Sequence, residues 1–250
     1  MVYGINKFIE YFKNYKEYYV LIGGTACDII MQEEDIEFRA TKDLDIVLIV
    51  EMLDESFGNV FWEFVKKGGY QNRSRTSGKQ QFYRFEKPTD KEYPSMIELF
   101  SRKPFSLENS KNSNVLPIHI DDNVKSLSAI LLDDDYYQLL LEGKKENDKV
   151  SYLSGEVLIL FKIKAYLDLK KRKENDEKVD SKDIKKHKND IFRILAMIAP
   201  DSEVKLDDSI KSDVLKFLEV IASDKPNLKD LGLRNISYDD AIEIIHDLFL

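Results

Sequence analysis

Sulfur chemistry and clustered imidazoles are almost absent from this chain: its 250 residues include one cysteine, Cys27, and three histidines. A single cysteine excludes an intramolecular disulfide. His119, His187 and His246 are scattered, with no zinc-like spacing and no cysteine partner. No Ser-His-Asp or Cys-His arrangement stands out. Cys27 falls on the apolar side of an expected helix and reads as buried filler. No apolar run approaches bilayer-spanning length, and the opening MVYGINKFIEYFKNY lacks the basic-then-apolar order of a signal peptide. A cytoplasmic protein with no membrane association is therefore expected. Excess positive charge is missing as well. The net charge of −8 argues against a protein that coats long stretches of nucleic acid, because such binding needs many Lys and Arg contacts to phosphate.

What is present suits a packed α/β protein. Hydrophobic residues make up 43% and aromatics 11%, carried mainly by 14 Phe and 13 Tyr. Charge is unevenly spread: residues 170–188 hold nine Lys or Arg against five Asp or Glu, a locally basic segment that a polyanion could meet. Its bland reading is a solvated loop between two helices.

Periodicity sets the order of elements. Ile5, Phe8, Ile9 and Phe12 have the spacing of an amphipathic helix covering a sheet. YYVLIGG reads as a buried strand ending in a glycine turn, TACDIIMQEED as a short helix, and LDIVLIV as a second apolar strand. DESFGNVFWEFVKKGGY reads as a helix stopped by Gly68-Gly69, with Trp62 on its core side. KQQFYRFEKP and PSMIELFSR form an expected antiparallel hairpin, VLPIHI a further strand, and LSAILL is the last segment given a strand reading. From about residue 127 the pattern turns helical. The expected architecture is a mixed sheet of about five strands with flanking helices over residues 1–126, followed by a mainly helical domain over 127–250.

The residues that carry chemistry lie around the first two strands. Asp43 and Asp45 are two apart on a strand, so both carboxylates project from one face, where hard oxygen ligands can hold a divalent ion against phosphate oxygens. Gly23 and Gly24 permit close backbone approach, and Thr25 opens a helix whose free N–H groups favour an anion. Phosphate at one end and metal at the other fit a nucleoside triphosphate. Glu98, alternating with Ile97 and Leu99 on a later strand, supplies a third carboxylate. Taken singly, each has a bland reading as a strand cap, a tight turn or an exposed strand residue. Arg84, on the hairpin, could reach a substrate, although a surface role is the simpler reading.

GGTA at 23–26, followed by Arg39, Thr41, Asp43 and Asp45 in FRATKDLDIVL, resembles the signature of the polymerase-β-like nucleotidyltransferase superfamily. Within it the pattern is most similar to the AbiE-type abortive-infection nucleotidyltransferases, the toxin subunits of toxin–antitoxin pairs. Their lysine motif resembles Lys162-Ile163-Lys164-Ala165 here, and their acidic motif Lys188-Asn189-Asp190. The likeness spans most of residues 18–195 and is more specific in the N-terminal motifs. Glu98 departs from it, standing where many members carry Asp. The spacing from Gly24 to Asp43 exceeds that of the polymerases but suits the abortive-infection branch.

The resemblance implies transfer of a nucleoside monophosphate from a triphosphate to an acceptor hydroxyl, with Mg²⁺ or Mn²⁺ as cofactor. Asp43, Asp45 and Glu98 would be the metal ligands and catalytic carboxylates. Gly23, Gly24, Thr25, Arg39 and Thr41 would hold the triphosphate. Lys162, or alternatively Lys164, would close the nucleotide site with Asp190. The implied acceptor is RNA, such as a tRNA 3′ end, and the implied partner an antitoxin protein. Two rivals stay open: an enzyme that modifies a small molecule of antibiotic type, and a non-catalytic nucleotide-binding module.

Overall fold

The computed structural model describes residues 3–33, 41, 43–75, 82–102, 116–117, 127, 130–199 and 202–250. The chain forms two compact units, Met1–Ile120 with Lys144–Ser154, and Asp121–Gly143 with Gly155–Leu250.

The first unit is an α/β layer built on a mixed sheet, of eight strands among the described residues. In chain order these are β1 (Tyr19–Leu21), β2 (Asp43–Leu48), β3 (Asn72–Arg75), β4 (Phe82–Glu86), β5 (Met96–Ser101), β6 (Leu116–Pro117), β7 (Lys144–Glu146) and β8 (Ser151–Leu153). Their spatial order is β6-β3-β4-β5-β2-β1-β8-β7. β2 runs parallel to β5 and antiparallel to β1, while β4 and β5 form the expected antiparallel hairpin.

One face of this sheet is covered by α1 (Ile5–Phe12) and α3 (Glu55–Gly68). Leu44, Ile46, Ile97, Leu99, Tyr83 and Phe85, which share a face by strand alternation, are all buried. Phe61 and Trp62 of α3 meet Phe85 edge-on at 5.4 and 6.0 Å, and Phe8 of α1 meets Phe64 at 6.1 Å. Trp62 is thus core, as its helical position implies. α3 is well delimited: the Asp54 carboxylate accepts from the Phe57 amide at 2.8 Å, and Gly69 closes the helix in the left-handed region. Cys27 is fully buried in α2 (Gly23–Glu33).

Three features depart from the sequence reading. Among the described residues the sheet has eight strands rather than about five. β7 and β8 return from beyond residue 126 to pair beside β1. They are tied there by the Lys16 ammonium on the Asn147 carbonyl at 2.8 Å and by the Tyr152 hydroxyl on Glu33 at 2.8 Å. Finally, Leu127 and Ile130–Leu132 are helical, which resolves LSAILL against a strand. Of VLPIHI, only Leu116–Pro117 is described, and it is strand.

The second unit is helical: α4 (Asp134–Glu142), α5 (Gly155–Glu174), α6 (Ser181–Leu195), α7 (Asp208–Ile221) and α8 (Tyr238–Phe249). α5 is its spine, packing on α4, α6 and α7. The first half of α5 is buried nearly all round, which is why its sequence GEVLILFKIKA lacks a polar stripe. The charged stretch is a loop between two helices only over residues 175–180, and its two ends belong to α5 and α6.

Candidate active site

The face of the sheet opposite α1 and α3 carries the charge. Parallel pairing sets Asp43 beside Met96 and Asp45 beside Glu98; antiparallel pairing sets Arg84 opposite Glu98 and Glu86 opposite Met96. Paired residues share a face, so Asp43, Asp45, Glu98, Arg84 and Glu86 project on one side. Asp43 and Asp45 are half-buried; Glu98 is buried.

The glycine turn lies directly against the two aspartates. Gly23 begins α2 with φ of 62°, in the left-handed region, and a Cβ there would collide with Asp45 Oδ2. A Cβ on Gly24 would collide with Thr41 Oγ1. The Ile22 amide donates to the Asp45 carbonyl at 3.0 Å, and the buried Thr25 hydroxyl donates to the Asp43 carbonyl at 3.1 Å. Gly23, Gly24, Thr25, Thr41, Asp43 and Asp45 therefore form one cluster, with the first turn of α2 beside the carboxylates. Arg39 and Lys42 lie outside the described residues.

Glu98 reaches the expected place in a different state of engagement. Its Oε1 accepts from Arg84 Nε at 2.6 Å and is contacted by Nη2 as well. Arg84 Nε also lies 3.9 Å from Glu86 Oε1. The Arg84 side chain is only 15% exposed, so the surface role read from sequence is replaced by a buried ion pair within the charged row. A cross-strand partner of Glu98 was available in FYRFE, but choosing Arg84 required the β4–β5 register.

The donor set fits a divalent ion in part. Asp43 and Asp45 are two carboxylates on one face beside an N-terminal helix turn, and Mg²⁺ characteristically uses one or two protein carboxylates together with substrate phosphates. Glu98, held by a guanidinium, does not fit a third ligand as placed. Among the described residues, no group of three or more His, Cys, Asp or Glu could hold a metal ion. A cavity of about 440 Å³ opens at the same end of the sheet, lined in part by Glu86, Met96, Lys87 and Lys91.

In the second unit, Lys162 and Asp190 meet. Lys162 Nζ lies 3.1 Å from Asp190 Oδ2, with Lys162 5% exposed and Asp190 wholly buried; Arg193 Nη1 reaches the other oxygen at 3.3 Å. Asp190 therefore takes Lys162 and Arg193. Lys164 points elsewhere, to Asp213 at 2.6 Å and over the Tyr136 ring at 5.0 Å. A second, part-buried cluster joins Lys188 to Asp224 at 2.5 Å, with the Tyr166 hydroxyl donating to the same carboxylate at 3.0 Å. Burial pushes the Asp224 carboxyl up, but Lys188 and Tyr166 outweigh it and hold the group below its ordinary value.

No family model and no curated protein matches the chain. Among solved structures it is similar to an antigenic nucleotidyltransferase-like protein from Paracoccidioides brasiliensis, 15% identical over 91% of each chain, with a TM-score of 0.46. A likeness of that size carries no chemistry with it, which must come from the residues. Among the described residues, no helix is long and apolar enough to cross a membrane.

Proposed function

We propose that the chain is a metal-dependent nucleotidyltransferase with a polymerase-β-like core, moving a nucleoside monophosphate from a triphosphate to an acceptor hydroxyl. The observation that carries this reading is the contact of the Gly23-Gly24-Thr25 turn with the Asp43-Leu44-Asp45 strand. That contact puts the first-turn N–H groups of α2, a kind of group that favours an anion, next to two carboxylates, a kind of group that favours a divalent ion. A bound Mg²⁺ or Mn²⁺ would neutralise charge on the triphosphate and polarise its α-phosphorus. Asp43 and Asp45 would hold it, and the first turn of α2, with Thr41, would receive the phosphate oxygens. The acceptor oxygen bonds to the α-phosphorus, the bond to the bridging oxygen breaks, and pyrophosphate leaves with that oxygen. The hydroxyl proton passes to water, which reaches the half-buried aspartates. Arg39 would add a phosphate contact.

The acceptor we favour is RNA, such as a tRNA 3′ end, in a toxin role paired with an antitoxin. The locally basic segment at 170–188 supports a polyanion over a small cationic acceptor. A second reading, a nucleotide-binding module without turnover, draws support from the engagement of Glu98 by Arg84. Incubating the protein with each α-labelled nucleoside triphosphate, Mg²⁺ and total RNA separates them. Label in RNA that disappears with Asp43→Ala plus Asp45→Ala supports the transferase and names the base. Nucleotide binding without label in any RNA supports the module, whereas label in a small-molecule pool moves the acceptor away from RNA.

A further inference from the structure

We propose that Arg84 makes this a one-metal centre: its guanidinium takes the place of a second cation beside Glu98, leaving Asp43 and Asp45 alone to ligate the divalent ion. The inference rests on the nucleotidyltransferase reading above and narrows it. Asp45, Glu98 and Arg84 stand in one row across three adjacent strands, fixed by the β2–β5 and β4–β5 registers. Glu98 is thus flanked by a carboxylate on one side and a guanidinium on the other. Arg84 directs both Nε and Nη2 at a single oxygen, Oε1, and has Glu86 as a second carboxylate within 3.9 Å.

The charge bookkeeping of this row favours one ion. A guanidinium keeps its proton at any working pH, so Arg84 is a permanent cation between Glu86 and Glu98. It offsets the negative charge that would otherwise draw a second divalent ion to the row. An ion brought to Oε1 of Glu98 would have to displace charge-assisted hydrogen bonds in a site where Arg84 and Glu98 are 15% and 11% exposed, and an ion at Oε2 would meet the repulsion of the adjacent guanidinium. Asp43 and Asp45 are half-buried and stand on the same face as Glu98. Glu98 then contributes charge to the row without coordinating, and Arg84 is a positioning residue that keeps it so.

Mn²⁺ binding to the full chain without nucleotide, followed by the loss of the free-ion paramagnetic resonance signal, tests this independently of turnover. The expected result is one ion per wild-type chain. Glu98→Gln, which keeps shape and a hydrogen-bond acceptor for Arg84, should leave the Mn²⁺ affinity within about twofold, while Asp45→Asn should weaken it by about tenfold or more. Arg84→Gln should release the Glu98 carboxylate, tightening the affinity or admitting a second ion; Arg84→Lys, which keeps the charge, should do neither. Two ions per wild-type chain, or a loss with Glu98→Gln as large as with Asp45→Asn, would overturn the proposal. Should Arg84→Gln fail to fold, the wild-type count and the Glu98→Gln comparison decide the matter. Mn²⁺ binding indifferent to both Asp43→Asn and Asp45→Asn would instead sink the metal-centre reading itself, and the one-metal proposal with it.

Discussion

At position 23 the left-handed backbone and the Asp45 carboxylate both select glycine, so the turn and the candidate metal ligand are mutually dependent. Gly23→Ala should destabilise the fold by about 1–3 kcal/mol through backbone strain and displacement of Asp45, measurable by urea unfolding. Nucleotide binding should weaken in the same variant. The buried pair in the helical unit makes a separate prediction. Asp190→Ala leaves Lys162 buried without its carboxylate and should cost about 3–5 kcal/mol. Lys164→Met, which removes a charge 30% exposed, should cost about 1 kcal/mol or less. Similar losses from the two variants in chemical denaturation would contradict this assignment of the buried ion pair. The asymmetry was only partly legible in the sequence: Lys162 and Lys164 point in different directions on any helix, but which one meets Asp190 depends on how α5 and α6 cross.

Elements with strong periodic signals were readable, and elements held by long-range pairing were not. The β4–β5 hairpin, β2 and α3 announce themselves by alternation, β-branching and caps. β3 reads NRSR and β7 reads KKE, sequences with no strand pattern of their own, which are strands because neighbours offer them hydrogen-bonding partners. The register that joins Arg84 to Glu98 belongs to the same class of fact, since it is set across two strands. Between elements, the Lys188–Asp224–Tyr166 cluster ties α5 and α6 to the segment after α7. The Asp224 carboxyl is held below its ordinary value of 3.8, so the folded state binds its proton less readily than the unfolded chain. Its contribution to stability is therefore complete above about pH 4 and is lost as pH falls through the lowered folded value. Asp224→Asn should flatten that part of the stability profile between neutral pH and pH 3, and an unchanged acid limb would contradict it.

For the whole molecule, the sequence change near residue 127 marks where helices come to dominate, but the sheet is completed later by 144–154. β1 is three fully buried residues, Tyr19–Leu21, paired with β2 on one side and with β8 on the other. A chain ending at residue 126 would leave that inner strand as an open edge, so it should aggregate or lose its circular-dichroism signature of folding while the full chain stays soluble. A soluble, cooperatively unfolding 1–126 fragment would show that β7 and β8 are dispensable. The central claim concerns which bond of the triphosphate breaks, and parallel reactions with α-labelled and γ-labelled nucleoside triphosphate report it most directly. The α label should become covalently attached to the acceptor while the γ label is recovered only in pyrophosphate, with both outcomes lost in Asp43→Asn plus Asp45→Asn. Transfer of the γ label to the acceptor, or α-label transfer that survives loss of both aspartates, would contradict it.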